Sequence, residues 1–233
     1  MSVIVALDFP ELEPCRKILE ELKGLVKIYK VGSELFTAHG WKAVELVQKS
    51  GAEVFLDLKL HDIPTTVAKT SRVIAEKGIF MFNVHALGGL EMMAEARKAV
   101  DLKSRGARRP LLLGVTILTS LSDSHLSKEL GIVRSVKEEV LALARLAKQA
   151  GLDGVVCSPE ETGLVRSQLG TDFVLVTPGI RPAGSDQNDQ KRSLTPQEAV
   201  RQGATYLVIG RPVTAAPNPR RAVQEILQDS SAA

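Results

Sequence analysis

The chain has 233 residues, of which 44% are hydrophobic and 24% charged, and its formal net charge is +3, as in an ordinary globular protein. Basic residues are interspersed with acidic ones and there are only 6 Phe, 2 Tyr and 1 Trp, so we expect no nucleic-acid partner. No apolar run approaches the ~20 residues that cross a bilayer, which predicts no membrane span. The 2 cysteines form no disulfide framework or metal-ligand spacing, so we expect a reducing, cytoplasmic location.

Short apolar runs rich in Val, Ile and Leu predict eight strands. In chain order they are VIVAL from Val3, VKIYKV from Val26, AEVFLDL from Ala52, FMFNV from Phe80, PLLLGVT from Pro110, DGVVC from Asp153, FVLVT from Phe173 and TYLVIG from Thr205. The segments between them, such as WKAVELVQKSG and VKEEVLALARLAKQAG, repeat apolar residues at the helical period. Several of these predicted helices stop at a glycine before the next strand, for example Gly51 and Gly151, as is typical of a helix C-terminus.

Alternating strands and helices predict a parallel sheet with right-handed crossovers. Eight such units in a chain of this length indicate an α/β fold, a (β/α)₈ TIM barrel. A doubly wound open sheet is the alternative, but it would need a glycine-rich turn after the first strand, and ALDFPE has none. We therefore predict a single barrel domain over residues 1–233, with residues 229–233 frayed.

Polar residues follow the predicted strands at the end where barrel active sites form. In chain order they are Asp8, Lys30, Asp57 with Lys59, His85, Thr119, Ser158, Thr177 and Gly210 with Arg211. Some have simpler explanations, because Asp8 is equally well placed to cap the first helix and Ser158 is better explained as a cap. Their density at one rim indicates a site, in which His85 is a lining residue without an assigned role.

The segment DLKLHDIPTT, from Asp57 to Thr66, carries the strongest chemical signal. Asp57 and Lys59 are two residues apart on a strand and therefore share a face. An ion pair that only supports the barrel mouth would explain them, but Lys30 and Asp8 add a cation and an anion at neighbouring strand ends. Carboxylates on both sides of a lysine favour its charged form, and a shielded ammonium can stabilise a carbanion and protonate it.

Asp62 closely follows that pair and has two explanations. It adds a third charge to the same cluster, or it favours the dipole of the helix that begins near Pro64. The segment by itself leaves both open.

Two later loops predict a phosphate site. Residues 177–196, TPGIRPAGSDQNDQKRSLTP, are polar and longer than a routine connection, which indicates a lid. VIGRPV follows the last strand, and the seventh and eighth loops usually bind phosphate in such barrels. The backbone amides of Gly210 and Arg211, with the Arg211 guanidinium, suit a phosphate dianion, although Gly210 is also explained as a turn residue.

Several segments together resemble the orotidine 5′-phosphate decarboxylase family. They are ALDFP, YKVG, DLKLHDIPTT, VTILTS, TPGIRP, VIGRPV and a glutamine of the seventh loop, and the resemblance runs from Val3 to about Leu227. Asp-x-Lys-x-x-Asp-Ile-Pro-x-Thr is specific, whereas Asp-x-Lys-x-x-Asp alone is shared with related sugar-phosphate decarboxylases and aldolases. The resemblance implies decarboxylation of orotidine 5′-monophosphate to uridine 5′-monophosphate, the last step of de novo pyrimidine synthesis, without a metal or organic cofactor.

The resemblance also implies roles for individual residues. The implied catalytic network consists of Lys30, Asp57, Lys59 and Asp62, with Lys59 as the proton donor. The implied substrate-binding residues are Asp8 and Lys30 for the ribose hydroxyls, Thr119 for the pyrimidine, and Arg181, Gln190, Gly210 and Arg211 for the 5′-phosphate. Thr66 is a further implied substrate-binding residue. Gln187 is the alternative to Gln190. In the family the residues matching Asp62 and Thr66 belong to a segment that crosses to a partner subunit, which implies a homodimer with shared active sites.

Two other functions fit parts of the pattern. A magnesium-dependent sugar-phosphate lyase on the same barrel would use Asp57 and Asp62 as metal-side ligands, although IPTT and the loop between Arg181 and Gln190 speak against it. A barrel that only binds a phosphorylated metabolite would keep Gly210 with the arginine that follows it, but it would have no need of the charged network.

Overall fold

The structure is a computed structural model that describes residues 2–104, 108–181 and 194–231. Its eight parallel strands form a closed barrel in chain order, and the pairing of the first strand with the last completes the ring. The strands are β1 (Ser2–Ala6), β2 (Ile28–Gly32), β3 (Glu53–Leu60), β4 (Met81–His85), β5 (Leu111–Val115), β6 (Gly154–Val156), β7 (Val174–Thr177) and β8 (Tyr206–Ile209). The predicted (β/α)₈ barrel is confirmed, and the open-sheet alternative is excluded.

Helices follow the strands and cover the outside of the barrel. They are α1 (Leu12–Glu21), α2 (Ser33–His39), α3 (Trp41–Lys49), α4 (Pro64–Ala75), α5 (Gly89–Lys103), α6 (Asp123–Lys128), α7 (Val136–Gln149), α8 (Pro159–Leu169), α9 (Pro196–Arg201), α10 (Arg211–Thr214) and α11 (Pro219–Ser231). None of those described is both long and apolar enough to cross a membrane. Because α11 extends through Ser231, residues 229–231 of the segment expected to fray are helical, and residues 232 and 233 lie outside the described part.

The ends of the helices follow local sequence signals. Gly51 and Gly151 follow the C-cap residues of α3 and α7 and have φ of 84° and 80°, as predicted for glycines that end helices. Ser158 caps α8, since its Oγ accepts a hydrogen bond from the Glu160 amide at 3.3 Å. Asp8 is not a cap, because the residue that precedes α1 is Glu11.

The interior of the barrel is filled by an apolar cluster, which consists of Ile4, Ala6, Ile28, Phe55, Met81, Leu113, Val176 and Val208. Residues two positions further along a strand lie on the same inner face and nearer to the C-terminal rim. On β2, β3 and β4 those positions are occupied by Lys30, Asp57 and Asn83. On these three strands, polar side chains therefore lie between the apolar cluster and the C-terminal rim.

The end of β3 departs from regular pairing. Leu56 pairs with Phe82, but the next paired residue, Leu60, lies opposite Val84, so residues 57–59 face a single residue of β4. Within this bulge Lys59 has a φ of 51°, and no other non-glycine residue in the described ranges has a positive φ. The simple alternation assumed for Asp57 and Lys59 therefore does not hold here.

Candidate active site

A cavity of about 570 Å³ opens at the C-terminal ends of the strands. The predicted site residues that line it are Asp8, Lys30, Asp57, Lys59, Thr119, Arg181, Gly210 and Arg211. They come from β2 and β3 and from the segments that follow β1, β5, β7 and β8. Parallel strands that end at one rim therefore bring together residues that are distant in the sequence.

Four of these side chains form a row in which anions and cations alternate. Lys30 Nζ donates to Asp8 Oδ1 at 2.7 Å and lies 3.5 Å from Asp57 Oδ2. Lys59 Nζ donates to Asp57 Oδ1 at 2.8 Å, so the side chains of this pair meet as predicted despite the bulge. Each buried charge has an opposite neighbour, which offsets its loss of hydration.

Burial and charge act in opposite directions on the centre of this row. Burial lowers the pKa of Lys30, but the carboxylates of Asp57 and Asp8 outweigh it and leave this pKa raised. Burial raises the pKa of Asp57, yet Lys30, Lys59 and a hydrogen bond from Asn83 leave it lowered. Both groups stay charged near neutral pH. Lys59, whose side chain is 36% exposed against 12% for Asp57, presents its ammonium to the cavity.

Another part of the cavity carries two guanidinium groups, those of Arg181 and Arg211. Arg181 is buried, its Nη1 donates to the Ile180 carbonyl at 3.1 Å, and its Nε has no hydrogen-bond partner among the described residues. Burial and the positive charge of Arg211 lower the pKa of Arg181. Two cations held close together favour a doubly charged anion such as a phosphate group.

Asp62 and Thr66 were predicted to act in the site but lie outside the cavity of their own chain. Asp62 is exposed, and its Oδ1 accepts a hydrogen bond from the Ile63 amide at 2.6 Å. Thr66 is also exposed, in the first turn of α4. Ile63, between them, leaves 66% of its surface exposed, which is unusual for an isoleucine. In a single chain these residues stay apart from the charged row.

The predicted lid is described only at its two ends. Gln190 and its alternative, Gln187, lie outside the described residues. At the base of the loop Ile180 and Leu194 form a parallel bridge, and the Arg181 amide donates to the Leu194 carbonyl at 3.0 Å. This bridge joins the entry and exit of the loop beside the arginine pair.

Two residues that support the site were not predicted from the sequence. Asn83 is 1% exposed, donates through Nδ2 to Asp57 Oδ1 at 2.7 Å, and accepts at Oδ1 from the Lys59 amide at 2.8 Å. Its signal was a polar residue inside the apolar run FMFNV. Gly32 leaves room for an ion pair, because a Cβ at that position would lie 2.8 Å from Lys30 Nζ.

His85, predicted only to line the site, ends β4 beside this network but is not among the described residues that line the cavity. Its ring stacks on that of His61, with centroids 5.4 Å apart and planes at 17°, and its Nδ1 accepts from the Leu87 amide at 3.3 Å. Burial, with smaller effects of His61 and Lys59, lowers the pKa of His85 to about 4. The neutral ring is therefore the form that the fold favours.

We expect His85 to make the protein less stable in acid. Between pH 6.5 and 4 the unfolded chain binds a proton at this histidine that the folded chain does not, so the free energy of unfolding declines as the pH falls. After a discount for partial exposure, the effect is about 1–2 kcal/mol. Denaturant unfolding at about pH 7.5 and about pH 4.5, at one protein concentration, measures it. Between these two pH values the free energy of unfolding should fall by that much more in the wild type than in His85→Gln. Equal decreases would contradict the lowered pKa of His85.

A closed barrel with paired charges and an arginine pair at its C-terminal rim is the architecture of a (β/α)₈-barrel enzyme, and the chain is an enzyme of this class. The model of the Orotidine 5′-phosphate decarboxylase / HUMPS family matches residues 1–226, and the chain belongs to that family. The resemblance inferred from the sequence motifs is confirmed.

Individual relatives are similar over nearly the whole chain. The orotidine 5′-phosphate decarboxylase of Geotalea daltonii is 51% identical over 98% of this chain and 95% of that protein. That of Moorella thermoacetica is 50% identical over 97% of this chain and 90% of that protein. The crystal structure of orotidine 5′-phosphate decarboxylase from Lactobacillus acidophilus has 40% sequence identity and a TM-score of 0.87 over 98% of both chains.

Proposed function

We propose that this chain converts orotidine 5′-monophosphate to uridine 5′-monophosphate and carbon dioxide, the last step of de novo pyrimidine synthesis. The observation that carries the proposal is the alternating row of Asp8, Lys30, Asp57 and Lys59, which ends at an ammonium group in the cavity. The names of the relatives that match the chain almost end to end support the same reaction.

The chemical difficulty of this reaction is a carbanion at C6 of the pyrimidine without a conjugated electron sink. When the C6–carboxylate bond breaks, its electron pair stays on C6 and carbon dioxide leaves. The Lys59 ammonium stabilises that charge and then gives a proton to C6, after which solvent restores the ammonium. Asp57 holds Lys59 Nζ at 2.8 Å and so orients the proton donor. Neither a metal nor an organic cofactor takes part in this proposed mechanism.

The remaining lining residues bind the substrate away from C6. Arg181 and Arg211 hold the 5′-phosphate with the Gly210 amide and Gln190, and Asp8 and Lys30 contact the ribose, as the family resemblance implies. Thr119 contacts the pyrimidine. Although the phosphate is remote from the reacting carbon, its binding energy can be used to lower the chemical barrier.

Two copies of the chain form a homodimer in this proposal, and each active site takes Asp62 and Thr66 from the partner. The support is that both residues are exposed and lie outside the cavity of their own chain. Two apolar side chains are exposed as well, at 66% for Ile63, which is next to Asp62, and at 42% for Leu87, which lies two residues after the His85 that stacks on His61. Burying such side chains favours association.

A cytoplasmic location belongs to the same proposal. Cys15 and Cys157 are both buried and are not joined in a disulfide, as is expected in a reducing compartment.

The proposed function is tested by following the absorbance of orotidine 5′-monophosphate with purified protein. Its loss, unchanged after treatment with a chelator, supports the decarboxylase and excludes the magnesium-dependent lyase. No group of three or more His, Cys, Asp or Glu side chains in the described ranges is placed to hold a metal ion. Saturable binding of the nucleotide without turnover would instead identify a binding barrel.

We expect Arg211→Ala to reduce kcat/KM by about 10- to 100-fold, because a hydrogen bond to a charged group is worth roughly 1.5–3 kcal/mol. Gln190→Ala should also reduce kcat/KM, but by a smaller factor. Steady-state kinetics measure substrate capture as kcat/KM, and denaturant unfolding measures the stability of the fold separately. Arg145→Ala is the matched control, since this arginine bonds Gln168 at 2.7 Å outside the cavity. Unchanged kinetics in both test variants would mean that the phosphate binds elsewhere.

A further inference from the structure

One buried amide connects the two halves of the Asp57–Lys59 ion pair. At the β3 bulge, residues 57–59 stand opposite Asn83 alone, so regular pairing between the backbones of β3 and β4 is interrupted. The Asn83 side chain takes over, because its Oδ1 accepts from the Lys59 amide at 2.8 Å and its Nδ2 donates to Asp57 Oδ1 at 2.7 Å. Both hydrogen bonds of this side chain therefore go to the charged pair.

The hydrogen bond to the Lys59 amide supports a strained backbone. Lys59 has a φ of 51°, and a residue with a Cβ in this left-handed region costs about 1–3 kcal/mol unless its surroundings hold it there. The bulge takes the Lys59 N–H away from regular strand pairing, and a buried N–H must find another partner. Asn83 is that partner, and it thereby helps to set the direction in which the lysine side chain leaves the strand.

The second hydrogen bond acts on the carboxylate. Asp57 Oδ1 accepts from both Asn83 Nδ2 and Lys59 Nζ, while Oδ2 lies 3.5 Å from Lys30 Nζ. A neutral donor at Oδ1 limits rotation of the carboxylate and so preserves both ion pairs. The asparagine amide offers a donor and an acceptor on two separate atoms without adding charge.

We propose that Asn83 is a positioning residue that aims the Lys59 ammonium through both the main chain of Lys59 and the carboxylate of Asp57. The inference rests on the proposed role of Lys59 as proton donor. Asn83 is 1% exposed and is not among the described residues that line the cavity, so it acts through its neighbours. Its loss should therefore affect the chemical step more than substrate capture.

Asn83→Ala is expected to lower kcat by about 100-fold, a loss that a misplacement of ~1 Å can cause, with KM changed less than about threefold. Thr205→Val is the matched control. Thr205 Oγ1 also accepts a strand amide, that of Leu175 at 3.1 Å, but at the opposite end of the barrel. The control should lose stability and keep its kcat.

Asn83→Asp gives a pH signature that a purely structural role would not produce. An ionised carboxylate at this position repels Asp57 and cannot donate to it, whereas the protonated acid restores the donor. Its kcat relative to wild type should therefore rise at least about tenfold as the pH falls from about 8 to about 5.

Wild-type kcat in folded Asn83→Ala, or a pH profile of Asn83→Asp parallel to wild type, would overturn the inference. If Asn83→Ala does not fold, the Asn83→Asp profile decides alone. A wild-type protein without activity on orotidine 5′-monophosphate would refute the proposed function instead, so the two failures are distinguishable.

Discussion

Lys59→Ala is expected to abolish decarboxylation while the barrel still folds. Losing the only cation proposed to reach the developing carbanion should raise the barrier by at least ~4 kcal/mol, about three decades in rate. Folding should survive, because Lys59 lies at the rim with its side chain 36% exposed and Asp57 keeps Lys30 as an ionic neighbour. Loss of orotidine 5′-monophosphate reports activity, and denaturant unfolding reports the fold.

Lys98→Ala is the control for the loss of one lysine. Lys98 is exposed and pairs with Glu95 at 3.4 Å on the outer helix α5. This variant should keep wild-type turnover. Near-normal turnover by Lys59→Ala would refute the assignment of the proton donor, whatever the control does.

Mixing two inactive variants is expected to restore activity if the active sites are shared. Lys59→Ala and Asp62→Ala should each be nearly inactive alone. In a symmetric dimer each site would combine Lys59 of one chain with the partner's Asp62, so a mixed dimer has one site with both changes and one native site. Random subunit exchange makes about half of the dimers mixed, and about a quarter of all sites native.

The control mixture is Lys59→Ala with Asp57→Ala. These two residues contact each other within one chain, so every site in that mixture keeps one change and no activity returns. Subunit exchange is confirmed separately by energy transfer between labelled chains. If the Lys59→Ala and Asp62→Ala mixture also stays inactive, Asp62 acts within its own chain or only favours the start of α4.

Local patterns in the sequence were sufficient to predict the eight strands, the alternation of strands with helices, and the charged residues at the rim of the site. Apolar runs and helical periodicity show which residues of each segment are buried. In a protein of alternating strands and helices, every strand has the same kind of pattern, and so does every helix. Strand ends such as those at Lys30 and Asp57 then had to meet at one rim, because parallel strands in a barrel all end on the same side. The charged row could therefore be predicted residue by residue.

Only the tertiary structure determined the features that depend on the register between neighbouring strands. Closure of the sheet requires the pairing of Ile4 with Val208, which no local pattern reports. The β3 bulge and the left-handed Lys59 arise from how β3 aligns with β4. The alternation of side chains along a regular strand therefore predicted the Asp57–Lys59 pair but not the backbone geometry that forms it. Asn83 was missed for the same physical reason, since its two hydrogen bonds go to a neighbouring strand and exist only once that register is set.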